Sequence, residues 1–407
     1  MVRIHRAFIT VACALLCACA AHAAGDAHWN CFRGPFCGVS PWTNAPVSWD
    51  GSTGRGVLWK TPLRMTGVSS PVLWEKRLYL TEGNQQSRFV LAFNAEDGAP
   101  LWRRLVTDGG RGKPLPPVSP YGLAMPTAAC DANGVYAVFG TGDLIAFSPE
   151  GKLLWKTFLG RPTIGYGFSS SPCVVSNLLF VQVDTHASGR VVAFETATGR
   201  VKWEVERSRG ASWSSLMAVP GPAGKPVIVA NANGSTTGYD LEGNVAWDVD
   251  GATGEVAPSP AWWAGRLYAV NVGSKLFCHD VTGEPKQLWA VTGALSDTAS
   301  PVVVDGLLFM ATGGGAHTCL DAVTGDELWD ENGPGCFVSL ISSGDRVYAL
   351  GRNGTCVIYR VGRGRQLVGT CLLGEDADAT PAMTDGRLYI RGSKTLWCIG
   401  AKQGERP

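Results

Sequence analysis

Charge is scarce in this chain. Asp, Glu, Lys and Arg make up 17% of its 407 residues, and 35 bases against 34 acids leave a formal net charge of +1. A nucleic-acid binder carries a clustered basic excess, so that class is excluded. No block of like charges occurs, and 45% of the residues are hydrophobic, which excludes a disordered chain. Long apolar runs are missing beyond the first twenty residues, so no later segment spans a membrane as a helix. Histidine is sparse. His28, His186, His279 and His317 are scattered without paired metal spacing, which argues against a zinc site. No Gly-x-Ser-x-Gly elbow occurs, and Gly313-Gly-Gly-Ala-His317 lacks the Gly-Lys-Ser/Thr ending of a phosphate loop. Asn233-Gly-Ser and Asn353-Gly-Thr match glycosylation sequons no more often than chance allows.

The N-terminus reads as an export signal. Arg3, His5 and Arg6 precede the apolar run Ala7–Ala20, which suits a signal core, and Ala21-His22-Ala23 fits a small-residue cleavage site. Leu16-Cys17-Ala18-Cys19 offers a second reading, a bacterial lipobox that would lipidate Cys19. Cleavage after Ala23 removes two bases and three of thirteen cysteines, leaving ten. An even count in an exported chain allows disulfides. Cys31 and Cys37 flank a short loop that a bridge would close. Cys356 and Cys371 lie symmetrically about the turn at Gly362 and Gly364 and are placed to face each other across a hairpin. Buried free thiols are the alternative for both pairs.

Glycine (52) and tryptophan (15) are abundant, and they recur in step. Leu91-Ala-Phe-Asn-Ala-Glu-Asp-Gly-Ala-Pro-Leu-Trp102 and Val192-Ala-Phe-Glu-Thr-Ala-Thr-Gly-Arg-Val-Lys-Trp203 share one pattern. A strand ends in Ala-Phe, a polar turn carries Gly, and a second strand carries Trp. The turn glycines are Gly98, Gly151, Gly199, Gly243, Gly283, Gly325, Gly364 and Gly404. Trp follows four residues later at Trp102, Trp155, Trp203, Trp247 and Trp329; it is displaced to Trp289 after Gly283, and Val368 takes its place after Gly364. Each unit has an earlier strand of alternating aromatic and branched residues, such as Arg266-Leu-Tyr-Ala-Val270 and Arg387-Leu-Tyr-Ile-Arg391. Upstream again lie Ser-Pro or Thr-Pro starts: Ser70-Pro71, Ser171-Pro172, Ser259-Pro260, Ser300-Pro301 and Thr380-Pro381.

Each unit therefore predicts a four-stranded antiparallel sheet. One sheet cannot bury both faces, whereas sheets stacked around an axis can. The expected fold is all-β, an eight-bladed β-propeller with Trp between neighbouring blades. The last unit stops at Gly404, short of its fourth strand. The spare strand Gly56-Val-Leu-Trp59-Lys-Thr61 is expected to complete it, closing the ring with both ends of the chain. The expected organisation is a signal peptide over 1–23, an extension over 24–56, the propeller over 57–404 and a tail over 405–407. Trp59 joins Trp102, Trp155, Trp203, Trp247, Trp289 and Trp329 as a blade-docking residue.

The unit Ala-Phe-x-x-x-x-Gly-x-x-x-Trp resembles the tryptophan-docking repeat of pyrroloquinoline-quinone-type (PQQ-like) propellers over residues 57 to 404. Trp29-Asn-Cys-Phe-Arg-Gly-Pro35 resembles the opening of exported bacterial members. The family holds quinoprotein alcohol dehydrogenases and BamB-like outer-membrane assembly lipoproteins, which carry no cofactor. The resemblance thus allows pyrroloquinoline quinone with Ca²⁺ without requiring it. The dehydrogenases are longer and carry two adjacent cysteines over the quinone. No Cys-Cys pair exists here, and their Ca²⁺-holding Glu and Asn with a catalytic Asp find no match.

Propellers bind at the mouth of the axial channel, in the loops that precede the innermost strands. Here those loops carry Tyr121, Tyr166 with Phe168, Trp213, Glu255, Asp297, Cys336, and Asp376 with Asp378. Aromatics fall on one arc and carboxylates on the other. Carboxylates that converge hold a cation or one raised pKa; aromatics stack on a sugar, a quinone or a peptide side chain. Solvated loop acids are the alternative. The long loop Thr107 to Met125, with Arg111, Lys113 and Pro114-Leu-Pro-Pro117, is placed to lid the channel or form a ridge for a partner. The expected function is a non-catalytic, monomeric propeller of the bacterial cell envelope that binds a protein partner or ligand. A quinoprotein oxidoreductase and a polysaccharide-binding propeller are the alternatives.

Overall fold

Alternating aromatic and branched residues between Gly turns make strands, and the computed structural model shows where they pair. It describes residues 28–84, 86–107, 123–207 and 210–401. The strands form eight sheets. The innermost strands of blades 1 to 8 are Val72–Trp74, Ala129–Asp131, Cys173–Val175, Met217–Pro220, Ala261–Trp263, Val302–Val304, Ile341–Ser343 and Ala382–Thr384. The outermost are Pro100–Val106, Leu153–Phe158, Val201–Arg207, Val245–Asp250, Lys286–Val291, Glu327–Asn332, Leu367–Leu372 and, for blade 8, Val57–Pro62. All pairings within a blade are antiparallel, and apart from Val57–Pro62 each strand follows its partner through a short turn.

The ring closes as the sequence implies. Lys60 pairs with Trp397 and Thr61 with Leu396, so the strand from the start of the chain is the fourth of blade 8. Blade 8 is then locked onto blade 1 through one carbonyl. Ala95 O accepts from Trp59 Nε1 (3.2 Å), an Arg387 guanidinium N–H (3.2 Å) and the Tyr389 hydroxyl (3.1 Å).

Five blade interfaces share one docking geometry. The indole N–H of Trp59, Trp102, Trp155, Trp203 and Trp289 donates to a carbonyl of the next blade at 2.8–3.2 Å. Beneath each ring lies a turn glycine: Gly98, Gly151, Gly199, Gly243 and Gly325. All five have positive φ, and a Cβ there would sit 2.4–2.8 Å from the indole. Glycine is required twice over, by backbone conformation and by contact. Trp247 and Trp329 also pack between blades, but Gly283 and Gly364 have nothing near a Cβ position. Longer turns have moved those two glycines away.

The ten described cysteines are free thiols, which corrects the two expected bridges. Cys31 Sγ donates to Gly34 O (3.3 Å), and Cys37 Sγ faces Met217 Sδ (3.8 Å). The two thiols are buried in different clusters, and burial pushes them up to about 12 and about 11. Cys356 and Cys371 are register partners, as the hairpin symmetry implied. Each nevertheless packs as a thiol, Cys371 toward Val47 O (3.4 Å) and Cys356 toward Val357 O (3.8 Å).

Candidate binding mouth

The innermost strands begin at one face of the wheel, and their starts are stitched together. The backbone N–H of Ser70 donates to the Thr127 hydroxyl on the next blade. The same link runs from Thr127 to Ser171, Ser215, Ser259, Ser300, Ser339 and Thr380, each at 2.8–3.0 Å. These are the Ser-Pro and Thr-Pro starts and their equivalents. The hydroxyl satisfies a buried N–H of the neighbouring blade, while proline removes a donor that would have none.

Residues 28–44 cross the axis beneath this ring. His28 stacks on Trp74 of blade 1 (3.8 Å), and Trp29 pairs with Leu73. Asn30 O accepts from Cys130 N–H of blade 2, Cys31 packs with Cys173 of blade 3, and Cys37 packs on Met217 of blade 4. Arg33 is only 2% exposed. Its guanidinium donates to Pro260 O of blade 5 (3.0 Å), to Pro301 O of blade 6 and to Cys37 O (2.5 Å). Val39 and Ser40 then pair in parallel with Ser342 and Ser343 of blade 7, and Asn44 bonds Asp385 of blade 8 (2.6 Å). The segment therefore touches every blade. Gly34, at φ +67°, lies against the Trp29 ring, so Trp29, Arg33 and Gly34 form one folded knot. Burial lowers the Arg33 guanidinium to about 10, and carbonyl dipoles, not an acid, hold its charge.

On the mouth side, two of the expected aromatics meet. Tyr166, 39% exposed, meets Trp213 edge-on at 5.5 Å. Among the described residues, the buried Trp213 indole N–H has no partner. Phe168 is buried beneath them. Tyr121 lies outside the described residues, as do Cys19, residues 1–23 read as an export signal, and Arg111 to Pro117.

The carboxylates stay apart. Glu255 is exposed. Asp297 accepts the Gly313 N–H (3.0 Å). Asp378 forms a two-point pair with Arg352 (2.8 and 3.3 Å), whose guanidinium lies 4.0 Å from the Phe337 ring centre. Among the described residues, no three of His, Cys, Asp and Glu come together to hold a metal. Phe337 and Arg352 were missed by sequence reasoning, because nothing in a lone Phe and a turn Arg announces that they stack. Two buried polar anchors were missed as well. Arg391 donates to Ser69 Oγ (2.7 Å) and Thr81 O (2.6 Å), and Arg207 grips Asp184 at 2.8 and 3.1 Å. Burial raises the Asp184 carboxyl although Arg207 pulls it down.

A closed wheel of docked four-stranded blades is a repeat propeller of the PQQ-like class. A family model described as outer membrane protein assembly factor BamB matches residues 43–169, 122–331 and 282–367, most of the chain, and the chain belongs to that family. A BamB from Nitrosomonas eutropha is 29% identical over 148 residues, which is 35% of this chain and 34% of the relative. The chain thus spans about a third of that relative's length. The crystal structure of BamB from Moraxella catarrhalis superposes with TM-score 0.63 at 12% identity, covering 86% of this chain and 99% of that one. Quinohemoprotein alcohol dehydrogenase from Comamonas testosteroni gives TM-score 0.63 at 14% identity, covering 93% and 82%. At these identities the two structures establish the shared fold alone. The residues present do not fit a Ca²⁺-bound quinone. No adjacent cysteine pair exists, Asp378 is committed to Arg352, and Asp297 caps a backbone N–H.

Proposed function

We propose that this protein is a binding module of the bacterial cell envelope that holds a protein partner or ligand at its mouth without chemistry of its own. The observation that carries this reading is the edge-on contact of the exposed Tyr166 ring with the half-buried Trp213 at the mouth. An exposed aromatic edge beside a half-buried ring offers apolar area and a phenol hydroxyl to a partner. The family match supports a protein of the envelope assembly type. The export signal over residues 1–23 supports the location, with the Cys19 lipid as an optional tether.

The test is capture from envelope membranes. Wild-type protein retains a partner that Tyr166→Ala with Trp213→Ala loses at least tenfold, while the melting temperature stays within a few degrees. Unchanged capture would contradict the reading. Adding pyrroloquinoline quinone and Ca²⁺ should give no bound-quinone absorbance, and alcohols and sugars should not be turned over. Retardation on envelope glycans in affinity electrophoresis would instead favour the polysaccharide reading. Glu255→Ala with Asp297→Ala leaves capture unchanged if these acids are solvated loop residues.

A further inference from the structure

The outer rim of the wheel is electrically and chemically two-sided. Blades 4 to 6, residues 217–332, carry fourteen acids against four bases, although the whole chain is nearly neutral. The outermost strands of blades 4 and 6 expose Asp248, Asp250, Glu327 and Asp330, and that of blade 5 between them exposes Lys286, Gln287 and Leu288. The outermost strands of the three consecutive blades 8, 1 and 2 expose no acid at all. Their exposed cations are Lys60, Arg104 and Lys156. Their exposed apolar side chains are Leu101 (48%), Leu105 (53%), Leu153 (47%) and Leu154 (40%). Every remaining exposed position on these strands is proline, Pro62 or Pro100.

Cations interleaved with leucines on a convex edge form a surface that water solvates poorly on one count and well on the other. A flat anionic surface with an apolar interior satisfies both. Proline at the end of one edge strand and the start of the next removes backbone donors that a partner strand would need.

We infer that the rim of blades 8, 1 and 2 is a docking surface for an anionic lipid bilayer. It orients the wheel so that the acid-rich blades 4 to 6 face away. This inference does not rest on the mouth, and mouth variants leave it untouched.

The experiment is co-sedimentation of the full chain carrying Cys19→Ala, so that no acyl group on that residue contributes. Vesicles of phosphatidylcholine with phosphatidylglycerol are compared with vesicles of phosphatidylcholine alone. Binding should require phosphatidylglycerol and fall as salt is raised. Lys60→Glu, Arg104→Glu and Lys156→Glu together should weaken it by roughly a hundredfold, on the usual contribution of each basic residue near such a surface. The milder set Lys60→Gln, Arg104→Gln and Lys156→Gln should lose most of the same affinity and guards against misfolding of the first. Leu105→Ser with Leu154→Ser should weaken binding less, and Lys202→Glu on blade 3 should not. Equal binding to both vesicles, or wild-type binding by the charge variants, would overturn the inference. So would absence of vesicle binding while the charge variants lose an acidic protein from envelope extracts, which would make the rim a protein-docking surface.

Discussion

Between blades 1 and 2, Trp102 lies flat on Gly151 and donates its indole N–H to Pro149 O at 2.8 Å. Between blades 6 and 7, among the described residues, the equivalent Trp329 has no glycine beneath it and its buried indole N–H has no partner. It is held instead by the Phe309 and Tyr359 rings, at 6.0 and 5.3 Å. Ion pairs cross the same gap, Arg363 to Asp321 (2.5 Å) and Arg365 to Glu331. The first interface uses backbone contact that only glycine permits. The second replaces it with side chains that bridge a longer turn. Blade packing in this fold is thus a volume to be filled, and the Trp–Gly motif is one way of filling it.

Substituting glycine separates the two most sharply. Gly151→Ala meets both a positive φ and the Trp102 ring, and should cost about 2–4 kcal/mol in denaturant unfolding. Gly283→Ala and Gly364→Ala enter open space at ordinary φ and should lie within about 1 kcal/mol of wild type, by restricting the unfolded chain. Equal losses at all three would erase the distinction.

Removing the indole N–H comes next. Trp203→Phe should cost about 1–2 kcal/mol, part of it the bond to Leu241 O. Trp329→Phe should cost less, because its N–H makes no bond.

Acid should act on the irregular interface. His317 accepts from the Tyr359 hydroxyl at Nδ1 (2.8 Å) and donates from Nε2 to Pro334 O (2.9 Å), an arrangement of the neutral ring. Burial holds this imidazole below its ordinary value, against the opposing pull of the Pro334 carbonyl and Glu331. The unfolded chain then binds the proton more readily. Stability is fully present above the ordinary imidazole pKa of about 6.5 and is lost as pH falls through the lower folded value. His279 is lowered by burial in the same sense. Melting followed from neutral to mildly acidic pH should therefore drop less for His317→Gln than for wild type, without becoming flat.

The smallest effect belongs to the exposed bridge. Arg363→Gln should change stability by no more than about 1 kcal/mol, because the arginine side chain is 66% exposed. A larger loss in the same unfolding assay would mean that the ion pairs, not the aromatic rings, hold blades 6 and 7 together.

The wheel was legible because each docking event is written locally, as Gly and Trp at fixed spacing in unit after unit. The closure was legible because Trp59 stands alone ahead of the first unit. The crossing segment was not. Arg33 finds its partners at Pro260 and Pro301, more than two hundred residues away, and a segment that occurs once leaves no periodic trace. The spacing of Cys31 and Cys37 suggested a bridge for the same reason. The two thiols fit a small loop on paper, but that loop is wrapped around a guanidinium. At the mouth, the contact of Tyr166 with Trp213 was readable because the two precede neighbouring blades. The carboxylate arc was not, because the partners of Asp297 and Asp378 come from turns of Gly313 and Arg352 that the repeat leaves unconstrained.

Closure of the ring by both ends of the chain is the claim on which the rest depends. Native-state hydrogen exchange reads it directly, through the amides of Val57–Pro62 and Thr395–Gly400. The account predicts that hydrogen-bonded amides of both strands are protected to a similar extent and open together in a common unfolding event. Exchange of the 57–62 amides at the rate of an unstructured peptide, while 395–400 stays protected, would contradict it.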